Sequence, residues 1–119
     1  MAILVAVVLG ISTPSGNIKC FALGGTLHCD IASASYRPDL QRRCQTRASL
    51  DWHGFELSAR ERGTPSCSGG ALATVRTRPL AYGRTWHSGA ITCTSRVTGL
   101  TCTARGHGIF ISRASWRGW

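Results

Sequence analysis

The stretch Ser15-Gly16-Asn17-Ile18-Lys19-Cys20, followed by Cys29, decides the fold, because it returns as Ser88-Gly89-Ala90-Ile91-Thr92-Cys93 followed by Cys102. Both copies read S-G-x-I-x-C, then eight residues, then C, and both place a leucine (Leu27, Leu100) two positions before the second cysteine. The pattern predicts two β-hairpins with their ends stapled. In the first, Gly24-Gly25 lies midway between the cysteines. A two-residue turn there sets Cys20 opposite Cys29, and Gly-Gly accepts the positive φ of the primed turns. In the second, Val97-Thr98-Gly99 predicts a three-residue loop with Gly99 in the left-handed position. Directly opposed residues on antiparallel strands bring their Cβ atoms within disulfide reach.

Working outward, a chain of 119 residues suits one domain with a modest core of its own. Its six cysteines, an even number, predict three disulfides and an oxidising compartment. With Cys20–Cys29 and Cys93–Cys102 set by hairpin geometry, Cys44–Cys67 follows by elimination. No C-x2-C or H-x3-H spacing supports zinc, and no two of His28, His53, His87 and His107 stand at i, i+2 or i, i+4. Neither a metal nor a cofactor is therefore expected. Glycine supplies 14 residues, and no segment keeps helical periodicity for three turns. The expected class is all-β, a small disulfide-stapled antiparallel barrel or sandwich.

Along the chain, strands are expected over Ile18–Phe21 and Thr26–Ile31. One helical turn is expected over Asp39–Cys44. Two short strands lie within Ser49–Ala59, bulged or broken at Gly54. A surface loop from Glu61 to Gly70 is anchored at Cys67, and Ala71–Val75 reads as a strand. Further strands follow at Thr85–Trp86, Ala90–Thr94 and Gly108–Ser112. Residues 1–10 stand apart as an apolar leader, and residues 11–119 form the single domain. The run Ala2–Leu9 is shorter than the roughly 20 residues a membrane helix needs. It reads as a truncated secretory signal, without a basic start or an A-x-A cleavage site. The competing reading is a β-branched strand that packs on the domain or on a second copy.

The net charge of +9 comes from arginine, with Lys19 the one lysine. Guanidinium groups pair bidentately with phosphate and carboxylate. A basic surface of this kind attracts an anionic polymer or an acidic protein surface. The candidate binding residues are Arg113, Trp116, Arg117 and Trp119. The plainer reading docks the two rings on the domain's own sheet. Trp52 and Trp86 read as core. For chemistry, His107 between two glycines is the leading candidate. Together with His53, Glu56 and Arg113 it would provide general acid–base cleavage of RNA. The plainer reading makes Gly106-His107-Gly108 a turn into the last strand. Ser15 and Ser88 read as turn and strand-start residues, and Asp30 reads as one half of a salt bridge to an arginine across the sheet. There is neither a G-x-S-x-G elbow nor a P-loop.

Several strings are distinctive together: Thr13-Pro14-Ser15-Gly16-Asn17-Ile18-x-Cys20, Cys29-Asp30-Ile31, and Tyr82-Gly83-x-Thr85-Trp86. To these add Ile91-Thr92-Cys93-Thr94-Ser95-Arg96-x-Thr98-Gly99-Leu100-Thr101-Cys102, and Gly106-His107-Gly108-Ile109-Phe110-Ile111-Ser112-Arg113-x-Ser115. Over residues 11–117 the chain resembles a family of small secreted or lipid-anchored actinobacterial proteins of unknown function. The resemblance implies an extracytoplasmic domain with three disulfides, and it supplies no catalytic residues to carry over. The chain departs from that family at its start, which leaves room for a virion protein of an actinobacterial phage. The expected function is a non-enzymatic binding or structural module, secreted or bound to the cell envelope, whose basic surface meets an anionic partner. The alternatives are a virion or assembly component that uses residues 2–9 as an interface strand, and a small secreted nuclease.

Overall fold

The computed structural model describes residues 9–67 and 75–119. Residues 2–8 of the apolar run, and the strand expected at 71–75 apart from Val75, lie outside the described residues. In chain order the elements are β1 (Leu9–Ser12), β2 (Ile18–Leu23), β3 (Thr26–Ile31), α1 (Arg37–Ala48), β4 (Trp52–Ser58) and β5 (Thr64–Cys67). They continue with β6 (Arg76–Pro79), β7 (Thr85–Ser88), β8 (Ile91–Arg96), β9 (Gly99–Ala104), β10 (His107–Ile111) and β11 (Trp116–Gly118).

Both stapled ribbons form as their spacing dictates. Cys20 is the register partner of Cys29, and Cys93 of Cys102. Each pair is a disulfide, with Cα atoms 4.1 and 4.0 Å apart respectively. The third bridge is Cys44–Cys67, and it ties α1 to β5. Gly24 and Gly25 take φ of 60° and 82°, which only a residue without Cβ adopts readily, and this closes the first hairpin in a primed turn.

The two ribbons do not pair with each other. Each becomes the centre of its own sheet, flanked by antiparallel neighbours. The first sheet runs β5-β4-β3-β2-β1-β6 and the second β11-β10-β9-β8-β7. Every pairing is antiparallel except β1 with β6. The sheets remain open, so the sandwich rather than the barrel is the architecture. Alternate strand residues point to opposite faces, and the inward sets of both sheets share one core. Leu27, Ile31, Phe55 and Leu57 come from one side and Ile91, Leu100, Ile109 and Ile111 from the other. Burying each such side chain contributes roughly 1.5–3 kcal/mol.

Several expectations need correction. The single helical turn is a three-turn helix with Pro38 in its first turn and Ser49 as a left-handed C-cap. Among its described side chains the buried apolar ones are Leu40 and Cys44, one turn apart, so periodicity gave little signal. The helix is held instead by its disulfide and by Gln41 and Gln45, whose amides both donate to Asp51. The two strands around Gly54 are one strand, β4, with a bulge between Trp52 and Gly54. The loop ending at Cys67 contains β5. Pro65 sits there without cost because β5 is an edge strand. The second ribbon turns on two residues, Val97-Thr98, and Gly99 already pairs with Arg96. Asp30 makes no salt bridge among the described residues; its register partner is Lys19.

Candidate functional site

At one end of the sandwich, loops from both sheets enclose a cleft of about 320 Å³. Thr13, Ser15 and Asn17 form one wall, Arg96, Thr98 and Gly99 another, with Tyr82, Ser112 and Arg113 closing it. Local sequence explains each wall. Pro14 occupies the second position of a turn closed by the Gly16 amide donating to the Thr13 carbonyl, with Gly16 at φ 77°. The Thr13 hydroxyl accepts from the Ile18 amide, and the Ser15 hydroxyl accepts from the Asn17 amide. The Asn17 side chain clips Ser33 from both sides: its Nδ2 donates to the Ser33 carbonyl at 3.0 Å, and its Oδ1 accepts from the Ser33 amide at 2.8 Å. Tyr82 and Gly83 form the corner of the turn before β7. The Arg84 amide donates to the Ala81 carbonyl, and Gly83 takes φ 83°. Arg113 occupies the bend between β10 and β11, where its carbonyl accepts from the Ser35 amide.

The cleft is hydroxyl-rich and cationic. Arg96 and Arg113 are both exposed, and neither meets a carboxylate within ion-pair distance among the described residues. No acidic side chain lines the cleft. The cause lies in how charge is distributed along the chain. All five carboxylates fall between Asp30 and Glu61, and residues 62–119 carry eight arginines and none. Because β7–β11 are contiguous in sequence, the whole second sheet lacks acidic side chains. Sequence reasoning had Arg113 but missed Arg96 and Tyr82. The carboxylate-free second half was the signal that would have found Arg96.

The remaining candidates are dispersed. Trp116 packs on the core, with its ring 5.2 Å from Phe55. Arg117 and Trp119 lie on the outer face of the second sheet, where the Arg117 guanidinium sits 4.9 Å from the centre of the Trp119 ring. Trp119 exchanges two backbone hydrogen bonds with Gly108, so the docking reading describes the segment. Trp52 is fully buried, whereas Trp86 is half-buried against the core.

Glu56 belongs to the outer face of the first sheet, in a cross-strand row with Phe21, His28 and Thr64. Its Oε1 lies 3.5 Å from His28 Nδ1 and accepts from the Ser66 hydroxyl. Phe21 stacks on His28 with centroids 5.0 Å apart. His107 opens β10 opposite Ala104, one residue past a tight turn at Arg105-Gly106, so it stands in the strand and not in the turn. His53 lies on β4. No hydrogen bond or ion pair among the described residues joins any two of His107, His53, Glu56 and Arg113. Glu56 and Arg113 line different clefts.

Tyr36, just before α1, buttresses the floor beneath Arg113. Its hydroxyl donates to the Ser112 carbonyl at 2.7 Å, and its ring sits edge-on to Trp52. Burial pushes its phenol up to about 12, opposed by the adjacent Arg37 guanidinium.

A disulfide-stapled, two-sheet β-sandwich with a cationic end cleft is thus the class of protein that fold and site define. Residues 5–117 match the family of unknown function DUF6636, and the chain belongs to that family. Comparison with curated proteins and with solved structures finds no match. No helix among the described residues is long and apolar enough to cross a membrane, and no cluster of metal-ligating side chains occurs among them.

Proposed function

We propose that the protein is a non-enzymatic binding module that works outside the reducing cytoplasm and captures an anionic partner in the Arg96–Arg113 cleft. The observation that carries this reading is two guanidinium groups, without an ion-pair partner among the described residues, in a hydroxyl-lined cleft free of acidic side chains. Guanidinium N–H groups and serine and threonine hydroxyls are the donors that phosphate and carboxylate oxygens accept from. Three disulfides support the compartment, since such bonds persist where glutathione does not reach. An envelope polymer bearing phosphate or carboxylate suits the cleft better than a neutral one.

The test is binding of inorganic polyphosphate across a salt series, with wild type beside the double variant Arg96→Gln/Arg113→Gln. The expected result is affinity that falls with salt, with a log–log slope that drops by roughly one per arginine removed. Binding that ignores salt, or an unchanged slope in the double variant, would overturn the reading.

A further inference from the structure

The outer face of the second sheet is a second surface, and of the residues argued from here Gly99 alone also lines the cleft. Antiparallel register places Thr85, Thr94, Thr101, Phe110 and Arg117 in one row across all five strands. The inward positions between them (Trp86, Cys93, Cys102, Ile109, Trp116) belong to the core or pack on it, so this row faces out. Two half-exposed rings lean over glycines on this face. Phe110 fills the space a side chain at Gly99 would need, and Trp119 does the same at Gly108. The glycines let aromatic rings lie close to the backbone and keep the face low. Trp119 also holds the Arg117 guanidinium against its ring, which fixes the orientation of a long side chain before any ligand arrives.

We propose that this face binds an acidic polysaccharide. Phe110 is the platform for a sugar ring. Arg117, positioned by Trp119, anchors a carboxylate, and Thr94 and Thr101 meet the sugar hydroxyls. Charge complementarity supplies the sign, because no acidic side chain occurs on the five strands. The composition of the row separates a glycan from a nucleic acid. It offers three hydroxyls to one guanidinium, which suits a polyuronate with two free hydroxyls beside each carboxylate. A DNA phosphodiester chain has no free hydroxyl along its length and would leave the threonine row unused.

The experiment measures binding of polygalacturonate, dextran and oligo(dT) by affinity electrophoresis. It compares wild type with the cleft double variant Arg96→Gln/Arg113→Gln, and adds Phe110→Ala, Arg117→Gln or the first-sheet edge variant Arg76→Gln to that double variant, each checked for an unchanged melting transition. A conservative pair, Thr94→Val and Thr101→Val, removes hydroxyls while keeping β-branched strand residues should Phe110→Ala disturb the fold. In the double-variant background the expected result is retardation by polygalacturonate alone, weakened about tenfold in the Arg117 and Phe110 variants and unchanged in Arg76→Gln. Equal weakening in Arg76→Gln would make the attraction a property of overall charge and overturn this proposal while leaving the cleft reading intact. Preferential oligo(dT) retardation lost in Arg117→Gln would make the face a nucleic-acid surface, and absence of retardation by polygalacturonate would also overturn it.

Discussion

Two residues show what burial does to single polar atoms. Ser95 is fully buried beside Arg96, and its hydroxyl has no hydrogen-bond partner among the described residues. An unsatisfied hydroxyl of this kind costs about 1–3 kcal/mol. Ser95→Ala removes the cost and little volume, so denaturant unfolding should show a gain of about 1 kcal/mol. Tyr36 is the opposite case, a half-buried phenol whose hydroxyl is used. Its ordinary value of 10.0 is raised to about 12 in the folded chain. The unfolded chain therefore loses this proton first as pH rises, and the stability Tyr36 contributes is intact below pH 10 and is lost between about 10 and 12. The Tyr36 phenolate should form late in the folded protein, and Tyr36→Phe should flatten that alkaline loss. At this scale the sequence was least legible. Nothing in the string Tyr82-Gly83 said that the tyrosine would line the same cleft as Arg113, because the turn before β7 and the bend after β10 are far apart in the chain.

The elements divide by how local their causes are. Both ribbons were legible because turn residues, strand alternation and cysteine spacing all act within a dozen positions. The helix was not, since Leu40 and Cys44 are its buried apolar side chains among those described and its anchorage lies elsewhere in the chain, at Asp51 and Cys67. The same contrast orders the disulfides. Cys44–Cys67 closes a separation of 23 residues, whereas each ribbon staple closes 9. Loop-closure entropy makes the longer bridge worth about 3.4 kcal/mol against about 2.6 for a staple. Replacing Cys44 and Cys67 by serine should therefore cost about 3 kcal/mol in guanidinium unfolding. Amide exchange should accelerate first in α1, because few of its side chains are buried in the core.

For the whole molecule, the class was readable from composition, but the pairing of β1 with β6 was not, because no short-range signal marks a parallel neighbour from the far side of the chain. The charge asymmetry was present in the sequence, and it became a site only when contiguous strands turned a sequence half into a sheet. That same β1–β6 contact bears on how the chain emerges from the ribosome. Synthesis supplies β1 through β5 in order, and each strand finds its partner beside it, yet one border of the sheet stays bare until residue 79 has been made. During that interval the nascent sheet presents Leu9–Ser12 as an open template for a stray strand. β6 then covers it and leaves as the finished border a short strand with Arg76, Arg78 and Pro79, whose charge and missing amide turn away further partners.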